Sequence, residues 1–345
     1  MTPARSQLLW AQKLEREGGD LLGNLKVCYR IIRELIEENN EVLKKDGGIL
    51  EEHEYIFNLI EKLEKHSNYV LTEEERTKIF RYGETAYMIW ALRELFDKDD
   101  IVKKEIKTWD NGEDFNWGSN FRNFEFECHT ALRFLEEEQN VECINEEKNP
   151  DFLVNEELGI ECKRIYMFLG LFTNALKARK QADELGKPTV VIMNLDYLYN
   201  EIPDISTYIN EEEFLIICSR IAEYGMGTVE SNLIGIVLEC VSEKNENGKS
   251  ANVIGIRNKN ACKSISNQEL EELWSIVSIG MCGDGSLNVF DSSLEVERRS
   301  SIIHSNNASI KTDMRVFYNT IITNDIDEIT KMPNLSQRFL MQHNN

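Results

Sequence analysis

Three charged residues near the middle of the chain, Asp151, Glu161 and Lys163, have the types and the spacing to hold a divalent metal against a phosphate. Glu161 and Lys163 are two positions apart, so on a strand, where side chains alternate between faces, they point the same way. A hairpin that sets Asp151 beside them would gather two carboxylates and one ammonium. Carboxylate oxygens are preferred ligands of Mg²⁺, and an ammonium can stabilise the charge of a phosphate.

The elements that would position these residues are two short strands and a turn. Residues 149–154 read Asn-Pro-Asp-Phe-Leu-Val, and residues 159–165 read Gly-Ile-Glu-Cys-Lys-Arg-Ile. The polar residues 155–158 between them have the composition of a turn. The sequence therefore predicts a β-hairpin. The alternative is a surface hairpin whose charged side chains are merely solvated.

The order Pro-Asp, followed by Glu-x-Lys on the next strand, resembles the PD-(D/E)xK nuclease superfamily, which has the restriction-endonuclease-like fold. The surroundings agree with the resemblance. Residues 124–138 have the periodicity of a helix, residues 173–185 predict a second helix, and residues 188–194 predict an apolar strand. Helix, three strands, helix and strand is the core order of that superfamily. The resemblance covers residues 120–196 of the chain.

The resemblance implies a role for each residue of the pattern. Asp151, Glu161 and the backbone carbonyl of Cys162 would bind Mg²⁺ or Mn²⁺, and Lys163 would orient or deprotonate the attacking water. Removing Lys163 should then spare metal binding but remove most of the turnover. Since such groups would face a wet cleft, substituting Lys163 or Glu161 should change stability little.

The superfamily often adds an acidic residue from the first core helix and a polar residue from the second. In the first helix Glu125 and Glu127 compete, and Glu127 is preferred because Ala131 and Leu135 follow it on the same side. The alternative is that both are solvated acids of the first turn. In the second helix Gln181 is the matching residue. We therefore expect Glu127 and Gln181 to join the catalytic residues.

The net charge of the chain argues against a nucleic-acid substrate, but a local excess of basic residues favours one. The formal net charge is −22, and an acidic field repels nucleic acid. Between residues 163 and 187, however, basic residues are in excess: Lys163, Arg164, Lys177, Arg179, Lys180 and Lys187. Lys177 and Lys180 are predicted to contact nucleic-acid phosphates. The alternative is a solvated helix face.

Composition sets the class of the protein. The chain has 345 residues, enough for about two domains, and 41% of them are apolar, as in a globular protein. It contains no apolar run of the ~20 residues that a membrane span needs. The eight cysteines are scattered without CxxC spacing, so they are expected to be small buried hydrophobes rather than zinc ligands or disulfides. A cytoplasmic location is predicted.

The pattern along the chain predicts three parts. Residues 1–110 are expected to form an N-terminal all-helical domain, in which Thr72 and Glu75 have the spacing of a capping box. Residues 111–280 would form the nuclease-like domain, and residues 281–345 a C-terminal extension that packs on it. The predicted fold class is α/β (α+β), a mixed sheet flanked by helices.

These observations together predict a Mg²⁺-dependent endonuclease, with DNA a better expectation than RNA as the substrate. Two alternatives stay open. The chain could be a non-catalytic scaffold of nuclease fold that binds a protein partner through its acidic helical part, or a subunit of a defence or mobile-element complex. The oligomeric state is not predicted.

Overall fold

The computed structural model describes residues 5–39, 48–66, 68–106, 120–144, 150–200, 211–226, 230–242, 250–261, 265–283 and 287–292. Before the first strand these residues form helices. Their bounds are α1 Arg5–Glu17, α2 Leu21–Glu38, α3 Gly48–Lys65, α4 Glu73–Trp90 with a π-helical turn Ala91–Leu95, α5 Asp99–Ile106 and α6 Asn120–Glu136.

The second half of the chain alternates strands and helices. The elements are β1 Val141–Cys143, β2 Phe152–Val154, β3 Leu158–Arg164, α7 Phe168–Leu185, β4 Thr189–Asn194, α8 Asp196–Asn200, α9 Glu211–Met226, β5 Leu233–Ser242, β6 Ser250–Arg257, α10 Asn267–Cys282 and β7 Asn288–Asp291. The seven strands form a mixed sheet whose order is that of the chain. The two predicted helices and the three predicted strands of this region are present as α6, β2, β3, α7 and β4, and β1 is an additional strand that the sequence did not predict.

The chain divides into two compact units. Unit 1 comprises residues 1–147, 151–157 and 275–286, and unit 2 comprises residues 148–150, 158–274 and 287–345. Mixed α/β architecture, the coarse part of the predicted fold class, is confirmed. The division into domains 1–110, 111–280 and 281–345 stays a prediction.

Unit 1 is built on helices with one apolar face each. These apolar faces are buried in α2, α3 and α4, with Ile32, Leu35 and Ile56 fully enclosed. Helix α4 begins with the predicted capping box: Glu75 N donates to Thr72 Oγ1 at 3.2 Å, and Thr72 N donates to Glu75 Oε2 at 2.8 Å. The backbone amides at the start of this helix are thereby satisfied.

The turn after β2 has the geometry of a tight hairpin. Asn155 and Glu156 both have positive φ, 52° and 62°, as the type I′ turn requires. Asn155 N donates to Asn140 O at 2.8 Å, and Asn140 N donates to Asn155 Oδ1 at 2.9 Å. In the same unit, β1 pairs antiparallel with β2, with Val141 opposite Val154.

Unit 2 is a sheet with a helix pair on one face. Strands β3, β4 and β5 are parallel, β6 runs antiparallel to β5, and β7 is parallel to β6. Helix α7 packs closely on α9 because its inner positions Ala175, Ala178 and Ala182 are small and fully buried. These alanines share one hydrophobic cluster with Val191 and Met193 of β4.

Candidate active site

Strand β3 places Glu161 and Lys163 on the helix-covered face of the unit 2 sheet. Glu161 is in register with Val191 of β4, and Lys163 is in register with Met193. Registered residues on neighbouring strands share a face, and Val191 and Met193 belong to the cluster that includes α7 and α9. The two charged residues therefore interrupt an apolar layer, as predicted for a pair on one face.

The two side chains form an ion pair in which the carboxylate is buried and the ammonium is partly exposed. Lys163 Nζ contacts Glu161 Oε1 and also donates to the Cys162 carbonyl oxygen at 3.0 Å. Glu161 has no solvent exposure, while the Lys163 side chain is 20% exposed. The alternative of a solvated surface hairpin is therefore wrong for Glu161. The expected wet cleft is wrong for this residue too, because the surrounding sheet and its neighbours enclose the carboxylate.

Asp151 precedes β2 directly and lies in unit 1, whereas Glu161 lies in unit 2. It is partly buried, and its carbonyl oxygen accepts a hydrogen bond from Ile144 N at 3.3 Å. Asn149, the first residue of the pattern, is outside the described residues. The role of Asp151 as a metal ligand stays a prediction that rests on the sequence.

Both acidic candidates lie on α6. Glu125 is buried, with 7% of its surface exposed, and Glu127 is partly buried. Helix α6 begins at Asn120, so both residues are past the first turn, and neither is a solvated first-turn acid. The preference for Glu127 as a catalytic residue stays a prediction.

The polar residues of helix α7 differ in burial. Gln181 is 7% exposed and lies next to the buried Ala182, while Lys177 and Lys180 are exposed. Arg179 instead donates from Nη1 to the carbonyl oxygen of Met226 at 3.1 Å, so it fastens the end of α9. Of the basic residues between 163 and 187, Lys177 and Lys180 are therefore positioned at the surface. Their predicted phosphate contacts and the predicted role of Gln181 stay predictions.

Oxygen donors at this position have the chemistry that Mg²⁺ prefers. The Glu161 carboxylate and the Cys162 carbonyl oxygen already converge on one cation, the Lys163 ammonium. A carboxylate and a carbonyl are hard ligands suited to Mg²⁺ or Mn²⁺. Within the described ranges, no group of three or more histidine, cysteine, aspartate or glutamate side chains is arranged to hold a metal ion. The two oxygens fit part of a metal site, and further oxygen ligands such as waters would have to complete it.

A second polar row crosses the opposite face of the sheet and was not foreseen. Arg164, Asn194 and Glu239 are in register on β3, β4 and β5, one position after the Lys163 row. Asn194 and Glu239 are buried, and Asn194 Nδ2 donates to Asp196 Oδ2 at 3.0 Å. This row could have been recognised in the sequence from the polar residues that stand near the ends of otherwise apolar strands. Carboxyl ends of parallel strands are where α/β sheets bind ligands.

Most of the described cysteines are buried, as predicted, while Cys143 and Cys282 are only partly buried. The buried ones are Cys28, Cys128, Cys162, Cys218 and Cys240. Burial raises the pKa of the Cys28 thiol to about 12 and raises that of Cys218 as well. These thiols are therefore protonated packing groups at neutral pH.

The chain was compared with known protein families, with curated proteins and with solved structures, and none of them matches it. No helix among the described residues is long and apolar enough to cross a membrane.

Proposed function

We propose that the protein is a metal-dependent nuclease that hydrolyses phosphodiester bonds of nucleic acid, DNA before RNA, on a core of restriction-endonuclease-like type. The observation that carries this proposal is the joint contact of Lys163 Nζ with the Glu161 carboxylate and the Cys162 carbonyl oxygen. Glu-x-Lys on one strand thus brings an acid, an amine and a main-chain oxygen to one point. Asp151 is included in the proposed site only because Pro150-Asp151 precedes Glu-x-Lys in the sequence, as in the resembled superfamily.

In the proposed site each residue has one task. Glu161, the Cys162 carbonyl and Asp151 would hold Mg²⁺ or Mn²⁺. When bound, such an ion lowers the pKa of a water and offsets phosphate charge. Lys163 would orient that water and donate to the developing charge on the phosphate. Lys177 and Lys180, exposed on α7, would contact the nucleic-acid backbone, while Glu127 and Gln181 would position the reacting groups.

The test is cleavage by the purified chain. In Mg²⁺ or Mn²⁺ the protein should cut a single- or double-stranded substrate, and Asp151→Asn or Glu161→Gln should each reduce the rate at least ~100-fold. Glu184→Gln, an equal change at an exposed position of α7, should leave the rate unchanged. Thermal unfolding of every variant separates loss of chemistry from loss of fold. Absence of cleavage with either metal on DNA and RNA would refute an autonomous nuclease.

One observation favours a non-catalytic scaffold as the second candidate. The Glu161 carboxylate is buried and contacts the Lys163 ammonium, an arrangement that a purely structural ion pair also has. In this alternative the acidic helical part, residues 1–110, would bind a protein partner. Calorimetry distinguishes the two functions, since a scaffold has no reason to bind Mn²⁺ more weakly after Glu161→Gln. A nuclease that cuts only within a defence or mobile-element complex would still bind the metal.

A further inference from the structure

The ammonium of Lys163 occupies the point at which the two proposed oxygen ligands of unit 2 converge. Its Nζ lies 3.0 Å from the Cys162 carbonyl oxygen and also contacts Glu161 Oε1. A divalent ion bound to these oxygens would stand about 2.0–2.6 Å from each. An ammonium and a metal ion therefore cannot share both oxygens.

Electrostatics makes the exclusion strong. The Glu161 carboxylate is fully buried in the fold, whereas the Lys163 side chain is 20% exposed. A divalent ion ~4 Å from an ammonium near a protein surface repels it twice as strongly as a monovalent cation would, and more strongly than the same pair would repel in bulk water. Because Lys163 is partly exposed, it can turn toward solvent when a cation from solvent takes its place.

We propose that Lys163 is an internal counter-ion of Glu161 that a divalent metal must displace. In the metal-free protein the Lys163 ammonium occupies the metal position, and metal binding frees this ammonium to contact the substrate phosphate. The inference rests on the metal site of the proposed function. It differs from the expectation drawn from the sequence, in which removing Lys163 merely spares metal binding. Loss of the lysine should instead strengthen it, because the competing cation is gone.

Calorimetric titration with Mn²⁺, without nucleic acid, tests the competition. Lys163→Met should bind Mn²⁺ at least ~10-fold more tightly than the wild type, whereas Lys163→Arg, which keeps the charge, should not. Lys259→Met removes an equal charge from an exposed position and should leave the affinity unchanged. The double variant Glu161→Gln/Lys163→Met should lose the gain, which locates the ion at Glu161. Equal or weaker binding by Lys163→Met would overturn the inference.

Thermal unfolding provides a second readout. Without its counter-ion the buried carboxylate destabilises the fold, so Lys163→Met should melt at a lower temperature in EDTA than the wild type. Mn²⁺ should raise its melting temperature by more than that of the wild type. If the variant does not fold in EDTA, Mn²⁺ should restore its circular dichroism spectrum, and failure to do so counts against the proposal. Cleavage by the wild type is measured separately. If the wild type cleaves nucleic acid but Lys163→Met does not bind Mn²⁺ more tightly, only the competition is refuted. If the wild type does not cleave, the proposed function itself fails.

Discussion

At the scale of single residues, burial decides what a charge can do. Glu161 and Lys163 are adjacent on one face of β3, yet Glu161 is enclosed and Lys163 is not. Breaking a buried pair by removing one partner typically costs about 3–5 kcal/mol, much more than an exposed pair. The structure therefore overturns the expectation that both residues can be substituted with little change in stability.

His53 of unit 1 shows the same effect on a titrating group. Its Nδ1 lies 2.6 Å from the hydroxyl of the buried Tyr82, and its ring stacks on Tyr29 with the centroids 4.0 Å apart. Burial, aided by the charge of Arg33, lowers the pKa of His53 from 6.5 to about 4. These contacts make His53 a packing residue.

The lowered pKa predicts a loss of stability in mild acid. The folded protein prefers neutral His53, so this contribution is complete above pH 6.5 and declines as the pH falls from 6.5 toward 4. Between pH 7.5 and pH 5 the wild type should lose more unfolding free energy than His53→Phe, which retains a ring for Tyr29; the difference is at most about 2 kcal/mol, because solvent screens part of the effect on this half-buried ring. Urea denaturation at the two pH values measures this difference. Parallel pH curves for the two proteins would contradict it.

At the scale of elements, two helical glycines differ in their surroundings: one has free space beside it and the other is closely packed. Gly83 lies within α4, and a Cβ added there meets nothing within 4 Å. Gly225 lies near the end of α9, where an added Cβ would come within 2.5 Å of both Ala175 Cβ and the carbonyl oxygen of Phe172. Both contacts are on α7, so Gly225 permits the close approach of the two helices that cover the sheet.

The same substitution should therefore act in opposite directions at the two sites. Gly83→Ala should raise the unfolding free energy by up to about 1 kcal/mol, because alanine is the better helix former. Gly225→Ala should lower it by about 1–3 kcal/mol, because backbone and a buried alanine must shift. Chemical denaturation of the two variants beside the wild type measures both effects. A stabilising Gly225→Ala would mean that α7 and α9 are less closely packed than described.

At the scale of the whole molecule, the net charge of −22 opposes contact with nucleic acid, so any affinity must come from local basic side chains. Lys163 forms an ion pair with Glu161, and Arg179 donates a hydrogen bond to the carbonyl oxygen at the end of α9. Lys177 and Lys180 are exposed on α7. These two are therefore the basic residues with which the proposed function can be tested.

Replacing both lysines should reduce the salt dependence of DNA binding. Each phosphate contact contributes a slope of about −0.9 to log K against log salt concentration, so Lys177→Gln/Lys180→Gln should make the slope less negative by up to about 1.8. Fluorescence anisotropy of a labelled duplex in EDTA, at several salt concentrations, measures it. Lys78→Gln/Lys103→Gln removes the same charge from unit 1, where both lysines pair with acids. If the control changes the slope equally, the effect belongs to net charge and not to α7.

Local sequence determined the elements, and tertiary structure decided their environment. Short-range physics predicted the capping box at Thr72, the turn at Asn155 and the shared face of Glu161 and Lys163, because caps, turns and strand alternation depend on neighbours along the chain. It could not predict that Glu161 is fully enclosed, because alternation assigns a face but not what covers it. Nor could it foresee that Arg179 binds the end of a helix 47 residues away. Such contacts depend on which elements meet, and only the fold brings them together.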